Sequence, residues 1–303
     1  MRCVGAMLVL SHTLFARAFR APASSFLHNA LVKTGSAAYQ LPASRSTQQS
    51  RCEAGAKPVL SFPGGGIFFW WQAGAIGALQ ERYDLSSLDF VGASAGALAA
   101  TLAACDADMD RAMVLALELC EINEVWSRPL GLAGVWGAMV EDWLDVLLPE
   151  DADLLCRDRV HLLVLGIWPR PFKRVAVSDF SSKDDLIKSC MASVHIPYFM
   201  DKRFSARHRG RRFVDGSFKA SRGDLSLGEH RPTVYFDYED DEQMGKERGK
   251  FLSLTNREGL LLMRQRGYDH VKAMIENGEL DCIQEAALPS LKPKGIQRPV
   301  PEG

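Results

Sequence analysis

The 303-residue chain has no imbalance of charge: 36 Lys and Arg stand against 37 Asp and Glu, a formal net charge of −1 with the signs well mixed. That excludes a global electrostatic pull toward nucleic acid or any other polyanion. Cysteine is sparse and unpatterned. The seven residues, Cys3, Cys52, Cys105, Cys120, Cys156, Cys190 and Cys282, are odd in number and form neither a CxxC pair nor a cluster with histidine, so they read as reduced and mostly structural, and no metal or other cofactor is expected. Internal repeats are absent as well. What remains, 47% hydrophobic and 24% charged residues, suffices for one large globular domain with tails.

The first 57 residues are poor in acid. Arg2, Arg17, Arg20, Lys33, Arg45, Arg51 and Lys57 face Glu53 alone. "MRCVGAMLVLSHTLFARA" has a basic start, an apolar stretch from Val4 to Leu10 and a small-x-small site at Ala16 and Ala18, the form of a secretory signal. It is too short, and too interrupted by His12 and Arg17, to span a bilayer. The segment after it, opening at Phe19, bears Arg and Ser without acid, like an organelle transit peptide. Together they resemble the bipartite plastid leader of algae with secondary plastids, with an endomembrane, secreted or cytoplasmic destination as the alternative. Residues 1–57 are therefore read as a disordered targeting leader and set apart from the fold.

From Lys57 onward strand and helix alternate. "PVLSF" and "LDFVGA" read as buried strands, "IFFWWQAGAIGALQERY" and "AGALAATLAAC" as the helices that follow them. Further helices are expected around Asp110–Ile122 and Leu132–Leu147, and after the capping serines Ser181 or Ser182. "RVHLLVLGIW", "KRVAVSDF", "RRFVDG" and "TVYFDY" supply later strands. This order predicts an α/β fold, a three-layer α/β/α arrangement around a mostly parallel sheet. Residues 58–238 are assigned to the main domain, 239–284 to a helical extension packed on it and 285–303, rich in proline, to a disordered tail.

Gly64, Gly65 and Gly66 follow the first strand directly and leave an unobstructed backbone. The second strand ends in Gly92-Ala93-Ser94-Ala95-Gly96, a G-x-S-x-G between strand and helix. A turn that sharp is tolerated by small neighbours and lifts the Ser94 hydroxyl out at a helix N-terminus. If Ser94 attacks an ester carbonyl, charge develops on the carbonyl oxygen, and bare N–H groups of the glycine loop can stabilise it. Gly74, Gly77 and Ala78 on one helix and Ala97, Ala100, Thr101 and Ala104 on the other suggest close helix packing that brings the loop beside Ser94. A P-loop would need Gly-Lys-Ser/Thr after the glycines, and a dinucleotide fingerprint would need glycine at Phe69; neither is present. A tight turn without chemistry is the remaining alternative.

A serine nucleophile needs a proton acceptor. None of the histidines in the body lies in a suggestive motif. Asp215, at a strand end and followed by Gly216, can present a carboxylate at the sheet's edge, where partial desolvation tunes its proton affinity. Asp-Gly is also an everyday turn, and the residues alone leave both readings open.

Taken in order, "GGGIFFWWQAGAIGAL", "GASAG", "SVHIPYF" and "VDGS" resemble the patatin-like phospholipase domain over about Val59 to Phe218. The resemblance implies a lipid acyl hydrolase with Ser94 as nucleophile, Asp215 as base, Gly64, Gly65 and Gly66 as oxyanion hole, and Gly92 and Gly96 as the glycines of the nucleophile elbow. Phe68-Phe69 stands where patatins have Arg-Gly, and the Trp70-Trp71-Gln72-Ala73-Gly74 spacing is nearer to the adiponutrin-like branch. Ser217 occupies a position where the family usually has Gly or Ala. Beyond Tyr238 the motifs run out.

Two surface expectations follow from composition. Of the run Ile67–Trp71, Phe68 and Trp71 are expected to line an acyl-chain channel, with core packing as the alternative. Lys202, Arg203, Arg207 and Arg209, in a basic segment that continues to Arg211 and Arg212, are expected either to hold the site against an anionic membrane or lipid-droplet surface or to form a solvated hairpin. The expected function is hydrolysis of fatty-acyl esters of membrane or storage glycerolipids, with no nucleic-acid partner. Acyl transfer with the same residues, a Ser-His-Asp esterase and a non-catalytic lipid-binding protein are the alternatives. The triad esterase fits less well, since its fold builds several strands before the nucleophile and one strand precedes Ser94 here.

Overall fold

Strands β1 (Val59–Phe62) and β2 (Asp89–Ala93) are buried along their whole length, which is why they read as continuous apolar runs: a parallel strand covered on both faces has no solvent side to make polar. The computed structural model describes residues 57–168, 172–228 and 230–286, which fall within one compact unit. The expected leader, Lys57 apart, and the expected tail beyond Ala286 lie outside the described residues.

Between these strands runs α1 (Phe69–Gln80), entered through a 3-10 turn at Gly66–Phe68. After β2 come α2 (Ala95–Ala104), α3 (Met109–Ile122), α4 (Trp136–Leu147) and α5 (Ala152–Cys156). Strand β3 (Val160–Trp168) and β4 (Lys173–Val177) precede α6 (Lys183–Ser193), whose N-cap Ser182 accepts the Asp185 amide. Then follow β5 (Ala206–His208), β6 (Arg211–Val214), β7 (Thr233–Tyr235), α7 (Glu242–Lys246) and α8 (Arg257–Glu276). The fold is α/β, a mostly parallel mixed sheet with helices on both sides. No helix among the described residues is long and apolar enough to cross a membrane.

The sheet order is β5-β6-β3-β2-β1-β7, with β4 paired to β3. β7, β1, β2 and β3 are mutually parallel. β3 is longer than its neighbours and is shared. Phe90–Ala93 of β2 pair with Val160–Leu163, and Val214 to Arg212 of β6 pair antiparallel with Leu165 to Trp168. Since β4 pairs with Leu162–Gly166 and overlaps both contacts, β2 and β6 must occupy the same edge of β3. They run toward each other there and end on either side of Val164. The residues that follow these two ends are Ser94 and Asp215.

Helix α1 buries ten of its twelve residues and α2 all ten, so neither has a polar face. Gly74 and Gly77 of α1 do not act where the sequence suggested. Gly74 lies against α8, where a Cβ would come within 1.8 Å of the Arg264 carbonyl oxygen, and Gly267 of α8 lies equally close to the Trp71 carbonyl; nothing lies within 4 Å of a Cβ on Gly77. The close helix pair is α1–α8.

Candidate active site

Ser94 has φ 54° and ψ −127°, a left-handed conformation that L residues adopt only where the surroundings impose it. Those surroundings are visible. A Cβ on Gly96 would sit 1.8 Å from the Phe62 carbonyl oxygen, and one on Gly92 2.2 Å from that of Gly96, so α2 can leave β2 this abruptly only with glycine at both positions. The turn is tied down by Ser193, whose hydroxyl accepts the Ser94 amide at 3.0 Å and donates to the Leu163 carbonyl at 2.6 Å. Sequence reasoning gave Ser193 no role, although the residue opens the block "SVHIPYF", since its partners lie 99 and 30 residues away.

The Ser94 hydroxyl donates to Asp215 Oδ2 at 2.6 Å, and both residues are buried. Asp215 is held by its amide on the His195 carbonyl at 2.9 Å. Burial pushes its carboxyl above the ordinary carboxylate value, against the pull of hydrogen bonds from Ser217 and Ser94. Ser94 Oγ makes no hydrogen bond to any described histidine. His195, whose carbonyl accepts the Asp215 amide, turns Nε2 to the Arg203 carbonyl at 3.3 Å, and burial lowers its proton affinity.

The glycine loop reaches the same point. A Cβ on Gly64 would meet Ser217 Cβ at 2.4 Å and Ser94 Cβ at 3.2 Å, while one on Gly65 would strike the Tyr238 ring at 2.7 Å. Gly66 has φ 56°. Among the described residues the amides of Gly64, Gly65 and Gly66 have no acceptor, and Gly66 lines the cleft that holds Ser94. α2 adds the positive end of its dipole beside them.

Ser94 opens into an apolar cleft whose walls include Ile67, Phe69, Leu98, Met139, Trp143 and Met200. Phe68 and Trp71 do not line it, which corrects the expectation from sequence. Phe68 stacks on Tyr238 at 4.2 Å, and Trp71 donates from Nε1 to Asp241 at 3.2 Å. From this run the cleft is lined by Ile67, Phe69 and Trp70. Trp136, Met139, Val140 and Trp143 of α4 line the cleft too.

The basic segment forms the β5–β6 hairpin, turned at Arg209 and Gly210, both at positive φ. Lys202, Arg203 and Arg207 are exposed. Arg209 is engaged instead: its guanidinium binds Asp185 and the Asp179 carbonyl, and it holds the Asp185 carboxyl far below the usual range. It belongs to the structure of the hairpin rather than to a free cationic surface.

An α/β protein with a strained strand-to-helix serine on a buried carboxylate, beside unpaired loop amides and an apolar cleft, has the layout of a lipid-acting acyl-transfer site. A family model for the patatin-like phospholipases matches residues 60–222, and the chain belongs to that family, in its adiponutrin-like branch. Human omega-hydroxyceramide transacylase is 31% identical over 163 residues, 52% of this chain and 30% of that protein. Mouse 1-acylglycerol-3-phosphate O-acyltransferase Pnpla3 is 30% identical over 163 residues, 52% and 38%, and human patatin-like phospholipase domain-containing protein 4 is 27% identical over 176 residues, 56% and 68%. The match thus spans about a third of the first two relatives. Among solved structures, VipD of Legionella pneumophila aligns with TM-score 0.39 and 14% identity, over 73% of this chain and 67% of that one. The family comprises enzymes that act on lipids as hydrolases or acyltransferases.

Proposed function

We propose that this protein is a serine lipid acyl hydrolase acting on fatty-acyl esters of glycerolipids. The observation that carries the reading is the 2.6 Å hydrogen bond from Ser94 Oγ to Asp215 Oδ2 at the mouth of an apolar cleft. Asp215 takes the hydroxyl proton as Ser94 attacks the ester carbonyl. The amides of Gly64, Gly65 and Gly66, with the N-terminus of α2, stabilise the oxyanion, each such donor contributing about 10²–10³ in rate. The departing alkoxide takes the proton back from Asp215, and the acyl group stays on Ser94 with its chain in the cleft. Water, activated by the same carboxylate, then releases the fatty acid.

Acyl transfer is the second reading. It is favoured by the apolar lining around Ser94, which limits water at the acyl-enzyme, and by the names of two relatives, a transacylase and an O-acyltransferase. A lipid hydroxyl would then replace water in the second step, with no change in the residues used.

A fluorophosphonate probe tests the common first step. Covalent labelling of the full chain is expected, and its disappearance in Ser94→Ala. Equal labelling of both proteins would remove Ser94 from the chemistry. Offering a radiolabelled acyl donor with and without a lipid alcohol, and weighing free fatty acid against acylated alcohol, separates hydrolase from transferase.

A further inference from the structure

Asp215 uses its two oxygens unequally. Oδ2 accepts the Ser94 hydroxyl at 2.6 Å. Oδ1 accepts twice from a single residue, the Ser217 amide at 2.8 Å and the Ser217 hydroxyl at 2.6 Å. Any non-proline residue at 217 would supply the first of these bonds in this turn. Only a hydroxyl supplies the second. We propose that Ser217 is a positioning residue for the base: its hydroxyl pins Oδ1, so that Oδ2 faces Ser94, and it keeps the buried carboxylate in its proton-accepting form. The proposal rests on the reading of Ser94 and Asp215 as nucleophile and base.

Rotation about the bond to an aspartate carboxyl is soft, so one hydrogen bond leaves the group free to swing. Three bonds to two oxygens do not. Asp215 and Gly216 are themselves anchored, their amides donating to the His195 and Ser193 carbonyls, each at 2.9 Å. Ser217 is confined in turn by the glycine loop, since a Cβ on Gly64 would lie only 2.4 Å from Ser217 Cβ and 2.7 Å from its Oγ. The side chain that orients the base therefore touches the loop proposed to bind the oxyanion. Base and oxyanion hole share one support.

The electrostatics point the same way. Burial is the largest influence on Asp215 and disfavours its charge; the Ser217 hydroxyl is the strongest influence opposing it, ahead of the Ser94 hydroxyl. The Ser217 bonds also persist whichever way the proton shared by Ser94 and Oδ2 lies. The titratable group facing the carboxylate is His195, with Asp201 3.9 Å beyond its Nε2. The glycine loop and the first turn of α2 contribute no ionisable side chain. Changing Ser217 alters neither His195 nor Asp201, so their titration is common to all variants compared.

The test is the rate of fluorophosphonate labelling of the full chain against pH, for the wild type, Ser217→Ala and Ser217→Gly, with folding followed by circular dichroism. The alanine keeps the Cβ beside Gly64; the glycine removes it. In both variants the acid-side fall in rate is expected to move up by about one pH unit or more, as loss of a hydrogen bond to a charged group implies. Acid limbs that coincide with the wild type would overturn the proposal. So would a shift confined to Ser217→Gly, which would mark a packing effect, or failure of both variants to fold. Labelling that survives in Ser94→Ala is a separate failure, of the underlying reading, and that control tells the two apart.

Discussion

The Ser193 hydroxyl accepts the amide of Ser94 at 3.0 Å, a bond that joins the last residue of α6 to the strained turn between β2 and α2. The same oxygen donates to the Leu163 carbonyl at 2.6 Å, so one buried side chain ties the turn to the central strand. Ser193→Ala leaves the Ser94 amide and a carbonyl lone pair unpaired in the interior. A loss of about 1–3 kcal/mol is expected in urea unfolding, together with slower probe labelling of Ser94. Normal stability with normal labelling would mean that the turn is held by its glycines alone.

Asp215→Asn is expected to separate stability from chemistry. The folded carboxyl lies above its ordinary value, so the folded protein binds the proton more tightly than the unfolded chain, and the ionised group weakens folding at neutral pH. Asparagine removes that cost. The variant should melt higher than the wild type above the raised value, and the gain should fade as pH falls through that value toward the unfolded one of about 3.9, below which both states of the wild type become protonated. Labelling should drop about 10²–10⁴-fold. A variant that melts lower at pH 7 and pH 4 alike would contradict this account of the site.

Leu98 lines the cleft from α2, one turn beyond Ser94. Leu98→Phe is expected to shift preference toward shorter acyl chains, read from competition between ester lengths. Phe68→Ala and Trp71→Ala, which empty fully buried positions outside the cleft, should instead cost about 3–5 kcal/mol of stability and leave the order of preference intact. If Trp71→Ala changed the preference and Leu98→Phe did not, the cleft would not be the acyl site.

Arg203 and Arg207 are exposed, beside Tyr198 and Phe204, whose rings meet at 5.8 Å with both largely exposed. Binding to vesicles containing anionic lipid is expected to weaken with each of Arg203→Ala and Arg207→Ala by about 1 kcal/mol and to weaken with salt. Arg209→Ala should act differently, lowering thermal stability through loss of Asp185. Salt-independent binding, or equal effects of all three, would retire the hairpin as a lipid contact.

The parts of the site legible in the sequence are those whose chemistry is local. A glycine before and after Ala93-Ser94-Ala95 announces a turn that only small residues permit, and Val214-Asp215-Gly216 announces a strand end. Both statements concern a few adjacent residues. The role of Ser193, which opens the block "SVHIPYF", was invisible because it exists only once α6 has been laid against β3. The partner of Gly74 was misjudged for a similar reason: a small residue on a helix says that something comes close, and α8, almost two hundred residues later, was the something. Within Ile67–Trp71 the apolar character was plain, but five bulky residues around a helix start carry no polar marker to set the phase. Stacking of Phe68 on Tyr238 and the Trp71–Asp241 bond set it.

Composition and periodicity by themselves determined an α/β protein whose second strand ends in a strained serine, because strand burial, helix caps and glycine turns are enforced by residues near one another in the chain. That Ser94 and Asp215, 121 residues apart, share a hydrogen bond was decided by tertiary structure alone. It follows from one long strand, β3, which pairs with β2 below Val164 and with β6 above it, so that two strands of opposite direction deliver their last residues to the same place. Register across a sheet depends on which surfaces are buried against which, and no single segment contains that information.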